Sequence, residues 1–161
     1  KVCTTAKDVS LIIVGKGELE YKLKEQAVNL GINNKVKFLG VRDDISQLMK
    51  SADAFVLSSK YEGLPMVLLE ASEARIPILS TDVGGVGEMI SSGVNGFLVS
   101  SHSAIALEKG MKQVMSLSNI EIEKITLSSH EKLINDYSMI SVFNKWEEFY
   151  LGLCLDIEKF K

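Results

Sequence analysis

The sequence has little of what would point to most specialised chemistries. It contains two cysteines, Cys3 and Cys154, which stand near opposite ends with no CxxC or zinc-type spacing, so neither a disulfide framework nor a metal knuckle is readable. They read as two reduced thiols. Two isolated histidines, His102 and His130, make no metal cluster either. There is no apolar run near the ~18 residues needed to cross a bilayer, and no basic-then-apolar leader at the start. An excess of positive charge is also missing. The formal net charge is −3, which argues against nucleic acid, because a phosphate backbone demands clustered Lys and Arg. The apolar share of 46% and charged share of 24% are those of an ordinary soluble globular protein, and 161 residues suffice for one domain with a core. The chain opens on Lys1 rather than Met and is read as a fragment or a processed product.

Short β-branched runs alternate with helical patterns, the signature of a parallel sheet covered by helices on both faces. Strands are expected at 9–14, 36–40, 54–57, 77–80 and 96–99. The third, Ala54-Phe55-Val56-Leu57, is continuously apolar and is expected to be buried on both faces. Between strands, a helix is expected from Glu18 to Leu30, with Leu19, Leu23, Ala27 and Leu30 facing inward and Gly31 ending it. Asp43 or Asp44 is placed to cap a short helix through Met49. Pro65 opens a helix to Ala74, and a brief turn covers 88–90. From Ser103 onward the pattern is helical to the end, without a further strand, and 103–161 is read as the helical part of the same Rossmann-like α/β domain. In an open α/β sheet, ligands bind at the carboxyl ends of the strands, where this sequence places its glycines.

The stretch Tyr61-Glu62-Gly63-Leu64-Pro65-Met66-Val67-Leu68-Leu69-Glu70-Ala71 carries the chemistry. It reads as a strand end, a tight turn and a helix entered through proline. Amides of Gly63 and Leu64, with the first N–H groups of the helix, suit a diphosphate. Glu62 in the turn and Glu70, about 7–8 Å further along the helix, would repel that phosphate unless they have another task. Accepting hydroxyls of a diol is such a task. Glu70 is therefore a candidate for ribose hydroxyls and Glu62 for those of a transferred sugar. The competing reading of Glu70 is a solvated helix surface, against which stand its apolar neighbours Met66, Val67, Leu68, Leu69 and Ala71. Gly15-Lys16-Gly17 starts like a dinucleotide fingerprint, but residue 20 is Glu where a third Gly belongs, so a tight turn is the better reading. Lys16 then faces solvent or the crevice. Gly84-Gly85 is either a close approach of backbone to ligand or a turn needing positive φ.

Glu62 and Glu70 reproduce the E-x7-E motif of the family-4 retaining glycosyltransferases. Around it, LIIVGKGE, VKFLG, SADAFVLSS, PILSTDVGGVGEMI and GVNGFLV each resemble a block of that family's C-terminal domain, in order over about residues 11 to 100. The resemblance implies one half of the GT-B architecture, two facing Rossmann-like domains with the donor nucleotide held mainly by the second. It implies that Glu70 binds ribose, that Glu62 with Gly63, Leu64 and Pro65 meets the sugar and diphosphate, and that Val41 and Arg42 meet the base. Gly15, Gly17, Gly84 and Gly85 would line the donor crevice. The implied substrate is a nucleoside-diphosphate sugar such as a UDP- or GDP-sugar, with no metal or other cofactor, because cations and helix amides stabilise the leaving group. The implied acceptor is a glycan or lipid-linked molecule in cell-surface polysaccharide assembly, at a cytoplasmic site with peripheral membrane association. The family's domain normally opens on a strand ending in Gly-Arg with a following Lys, and residues 1–10 hold no such pair. The first strand and helix of the domain, and the N-terminal acceptor domain, are thus expected to be absent, and this piece alone to be inactive. Two other readings are a sugar-nucleotide epimerase of similar architecture, for which His102 would be the only nearby histidine, and a non-catalytic interaction module. Near the C-terminus, Ile140, Phe143, Trp146, Tyr150, Leu153 and Ile157 recur at helical spacing, which reads as core packing for half of them and as a face toward the missing domain for the rest.

Overall fold

A computed structural model describes residues 2–6 and 8–158, with side chains described through residue 153. Lys1, Cys154 and Ile157 of the reading above lie outside the described residues or side chains. The order of elements is α1 (Val2–Thr5), β1 (Leu11–Val14), α2 (Glu20–Asn29), β2 (Val36–Gly40), α3 (Ile45–Lys50), β3 (Phe55–Leu57), α4 (Met66–Glu73), β4 (Ile78–Asp82), α5 (Val86–Met89), β5 (Phe97–Ser100), α6 (Ala104–Met115), α7 (Asn119–Lys132), a π-helical turn (Leu133–Tyr137) and α8 (Met139–Glu158). All five expected strands are present, and every pairing is parallel.

The ladder is split, however. One sheet holds β1 and β2, with Leu11 opposite Val36 and Ile13 opposite Phe38. The other has the order β3-β4-β5, with Val56 opposite Leu79 and Ser80 opposite Leu98. β1 and β3 therefore have one sheet neighbour each. This corrects the expectation for the third strand: an edge strand leaves its flank open, and all three residues of β3 are only half-buried.

The three-stranded sheet is packed on both faces, and the two-residue period of a strand explains how. Phe55, Leu57, Ile78 and Leu98 point to one face, where Met49, Leu68, Ala71, Val86 and Met89 of α3, α4 and α5 cover them. Ala54, Val56, Leu79, Phe97 and Val99 point to the other, covered by Leu107, Val114 and Ile125 of α6 and α7. Leu79 is fully buried, and Leu68 and Ile78 nearly so. Each such side chain contributes about 1.5–3 kcal/mol. A Cβ on Gly110 of α6 would lie 2.7 Å from Leu79 Cδ1 and 2.9 Å from Val99 Cγ1, so only glycine lets that helix sit so close to the sheet.

The β1–α2–β2 unit is packed differently. Of the expected inward stripe on α2 only Ala27 is buried, while Leu19, Leu23 and Leu30 are exposed. A helix that leans on a two-stranded ladder lacks the width of sheet needed to cover its apolar face. Gly31 does end α2: at φ +66° it supports a Schellman closure, with Ile32 N–H donating to the Ala27 carbonyl and Gly31 N–H to Val28. α1 ties this unit to the rest. Lys35 Nζ donates to the carbonyls of Cys3 and Ala6 at 3.1 and 2.7 Å, and α1 packs on α6, with Cys3 buried as a free thiol.

Helix starts follow the residues that precede them. Ser103 accepts from Ala106 N–H, and Ser118 forms a capping box with Glu121. Asp44 stands at the N-cap of α3, yet its carboxylate does not cap. Arg42 has taken it, with Nε to Oδ1 at 2.8 Å and Nη2 to Oδ2 at 2.6 Å, and the guanidinium holds the Asp44 carboxyl below the usual carboxylate range. α8 contradicts the core-packing half of its reading. Ile140 (76% exposed), Phe143, Trp146, Tyr150 and Leu153 are all exposed, because α8 leaves the body after the π-helical turn and Ser138. Its aromatics touch each other instead: Trp146 stacks on Tyr150 with centroids 5.7 Å apart, and Phe149 meets both edge-on.

Candidate functional site

The residues singled out from the sequence gather at the carboxyl ends of the strands in two clusters. The first follows β1 and β2. Gly15, at φ +113°, donates its N–H to the Gly40 carbonyl at 2.7 Å, and Gly40 is itself at φ +65°. These two turns need glycine on dihedral grounds. A Cβ on Gly40 would meet Lys16 Cε at 3.8 Å, which places the Lys16 stem over the β2 turn beside Val41 and Arg42. Gly17 accepts from Glu20 N–H at 3.1 Å; the space around it is open and its φ is unremarkable, so nothing steric demands glycine there.

The second cluster follows β3 and β4, and it is tightly built. Gly85 N–H donates to the Gly63 carbonyl at 3.0 Å. A Cβ on Gly84, at φ +52°, would overlap the Glu62 carbonyl oxygen and lie 2.9 Å from its carbon. A Cβ on Gly85 would overlap the Gly63 carbonyl oxygen. Of the two alternatives for Gly84-Gly85, the turn needing positive φ is met at Gly84, and the close approach that both glycines permit is to the backbone of Glu62 and Gly63. On the Glu62 side, Ser59 Oγ donates to Glu62 Oε1 at 2.6 Å, and Thr81 Oγ1 donates to the Ser59 carbonyl at 2.6 Å. Sequence reasoning passed over Ser59 and Thr81. The available signal was weak: a serine three residues before the acid, and a threonine at the end of the adjacent strand.

Pro65 is the N-cap of α4 rather than its first helical residue, at φ −74° and ψ 101°. Having no acceptor in its side chain, it leaves the first-turn amides of α4 without a side-chain cap, unlike those of α6 and α7. Gly63 and Leu64 are exposed just before it. An uncapped helix start beside a fixed turn, at the carboxyl edge of a parallel sheet, can receive an anion. Glu62 is half-buried. Glu70 is exposed on the face of α4 that also presents Met66 and Glu73, with no side-chain partner among the described residues. The expected desolvation of Glu70 by its neighbours is therefore incorrect: Leu68, Ala71 and Ser72 turn into the core, and helical spacing leaves residue 70 in the open. Its carboxylate is free to accept hydroxyls. His102 sits exposed in a turn at φ +61°, without an acidic partner within ion-pair distance among the described residues. Among the described residues no group of three or more His, Cys, Asp or Glu could hold a metal, and no helix is long and apolar enough to cross a membrane.

Comparison with known proteins gives this geometry a family. The chain is 33% identical over 109 residues to the Vi polysaccharide biosynthesis protein VipC/TviE of Salmonella typhi, covering 68% of this chain and 19% of that one. It is 25% identical over 150 residues to the UDP-Gal:alpha-D-GlcNAc-diphosphoundecaprenol alpha-1,3-galactosyltransferase of Escherichia coli, covering 92% of this chain and 38% of that one. The chain thus spans well under half the length of these curated relatives. Among solved structures, Anabaena Alr3699/HepE in complex with UDP superposes with a TM-score of 0.84 at 27% identity, covering 94% of this chain and 43% of that one. The same protein in complex with UDP-glucose gives a TM-score of 0.82. The parallel sheets flanked by helices match these GT-B structures. The family model of glycosyl transferases group 1 matches residues 1–128, and the chain belongs to that family.

Proposed function

We propose that this chain is the donor-binding domain of a retaining glycosyltransferase of family 4, which moves a sugar from a nucleoside-diphosphate sugar to a glycan or lipid-linked acceptor. The observation that carries the reading is the pair Glu62 and Glu70 on either side of the uncapped start of α4, one held by Ser59 and one free. In this reading Glu70 accepts the ribose hydroxyls, Glu62 meets the transferred sugar, and the Gly63 and Leu64 amides with the α4 dipole hold the diphosphate. The turn at Val41 and Arg42 meets the base, and the turns at Gly15, Gly17, Gly84 and Gly85 line the donor crevice. The surface ion pair of Arg42 with Asp44 is weak enough for a ligand to exchange.

No metal or other cofactor enters this mechanism. Amides and cationic side chains stabilise the leaving diphosphate, as preorganised dipoles do for any developing charge. The cation pair implied by the family resemblance, and the acceptor domain, belong to sequence outside this chain; its opening strand would lie between β1 and β3, where each has one sheet neighbour. This piece alone is then inactive in transfer. The relatives' roles in polysaccharide and lipopolysaccharide assembly support a cell-surface glycan as product. We place the enzyme in the cytoplasm, peripheral to the membrane. Glu147 and Glu148 on α8 disfavour direct attraction to anionic lipid.

Titrating the chain with UDP and GDP while following amide resonances tests the reading. Glu70→Ala is expected to weaken the preferred nucleotide about tenfold, close to the ~1.5–3 kcal/mol of a charge-assisted hydrogen bond. If neither nucleotide moves a resonance at millimolar concentration in the folded chain, donor binding is refuted.

A further inference from the structure

The candidate sugar-binding acid is not a loose loop side chain. Ser59, just after β3, donates its hydroxyl to Glu62 Oε1 at 2.6 Å. The Ser59 backbone is itself held, because its carbonyl accepts the Thr81 hydroxyl at 2.6 Å, and Thr81 lies in β4 with only 5% of its surface exposed. On the far side of Glu62, Gly85 N–H grips the Gly63 carbonyl at 3.0 Å. The turn is thus pinned to the β4–α5 segment on both sides of the acid, and the carboxylate is pinned to the turn.

Glutamate has three side-chain torsions, and a free one samples many rotamers. One short bond to Oε1 selects among them and sets the plane of the carboxylate, while the described residues supply no donor to Oε2. We propose that Ser59 is the positioning residue of Glu62, with Thr81 as its anchor in the rigid strand, so that Oε2 is presented to a hydroxyl of the transferred sugar before the donor arrives. Positioning of this kind lowers the cost of ordering at the moment of binding. The inference rests on the reading of Glu62 as the sugar-contacting acid. It adds that a side chain which never touches the ligand tunes the sugar and not the nucleotide.

The alternative is that the Ser59–Glu62 bond merely closes the turn, and the two differ in what they do to two related ligands. Affinities of UDP-glucose and UDP, with GDP-mannose and GDP as a second pair, are measured for the wild-type chain and for Ser59→Ala, Ser59→Thr and Glu62→Gln. Positioning predicts that Ser59→Ala weakens the nucleotide sugar about tenfold and its free diphosphate less than twofold. Ser59→Thr, which keeps the hydroxyl, should stay within twofold of wild type on both, and Glu62→Gln should show the same sugar-specific loss as Ser59→Ala. Should Ser59→Ala fail to give a dispersed amide spectrum, Ser59→Cys, a weaker donor on a longer bond, is read the same way with a several-fold loss expected. Equal losses on sugar nucleotide and diphosphate overturn the proposal in favour of turn closure. A sugar-specific loss in Glu62→Gln without one in Ser59→Ala or Ser59→Cys overturns it while leaving the donor reading intact. No sugar-specific loss in Glu62→Gln removes the reading of Glu62 as the sugar-contacting acid and this inference with it, and no binding of either pair removes the donor reading as well.

Discussion

Replacing Gly84 by alanine is the sharpest test of how the second cluster is built. Two costs are superposed there. At φ +52° an alanine occupies the left-handed region, at about 1–2 kcal/mol. Its Cβ would also overlap the Glu62 carbonyl oxygen and stand 2.9 Å from the carbonyl carbon, and backbone cannot rotate aside as a side chain can. Overpacking of that kind costs about 1–3 kcal/mol. The sum is about 2–5 kcal/mol, which for a chain of this size is a fall in melting temperature of roughly 5–15 °C. Two other glycines separate the terms. Gly93 is at φ +81° with nothing within 4 Å of a built Cβ, so Gly93→Ala reports the dihedral alone, about 1 kcal/mol. Gly85 has an ordinary φ of −76° but a Cβ that would overlap the Gly63 oxygen, so Gly85→Ala reports the clash alone. Urea unfolding of the three variants and wild type should order the losses as Gly84, then Gly85, then Gly93. If Gly84→Ala is within about 0.5 kcal/mol of Gly93→Ala, the turn around Glu62 is not held against the β4–α5 segment, and the positioning argument loses its frame.

Two further outcomes follow from the core and the caps. Leu79→Ala empties a fully buried position between α6 and the sheet, and should cost about 3 kcal/mol in urea unfolding, since Gly110 cannot reach in to fill the void. Glu121→Gln tests the capping box. Ser118 donates from both hydroxyl and backbone to Glu121 and holds its carboxyl below the ordinary glutamate value of 4.5. A depressed folded-state value means stability that is present above pH 4.5 and lost as pH falls through the folded value. The gap in melting temperature between wild type and Glu121→Gln should therefore be open at pH 7 and close toward pH 3; a gap that widens on acidification would contradict the assignment.

Most of the architecture was legible because its signals are local. Strand runs such as Val36–Gly40 carry a period of two, and Gly31 and Ser103 mark helix ends by properties of single residues. The candidate site was legible for a related reason: parallel strands send their carboxyl ends the same way within a sheet, so Gly15 and Gly40 fall together at the ends of one pair and Glu62 and Gly84 at the ends of another. What escaped depended on partners distant in sequence. Asp43 or Asp44 was expected to cap α3; Asp44 stands at the N-cap, but a cap competes with any nearby cation, and Arg42 is two residues away. The exposure of Glu70 could not be judged from apolar neighbours in the chain, because a helix separates adjacent residues by about 100°. The exposure of Leu19, Leu23 and the α8 aromatics depends on how wide a surface lies opposite them, which periodicity does not encode.

The split ladder bears on how tightly any ligand can be held. The turns at 15–17 and 40–42 hang from one pair of strands, and those at 62–65 and 84–85 from another three, so no common run of interstrand bonds sets the gap between them. A molecule that must touch both sets needs the span between them to match its own length. Its apparent dissociation constant is the intrinsic one divided by the fraction of time the span is right. Whatever braces the two strand groups, whether α1 wedged against α6 or a strand laid between them, would then sharpen affinity without contacting the ligand at all.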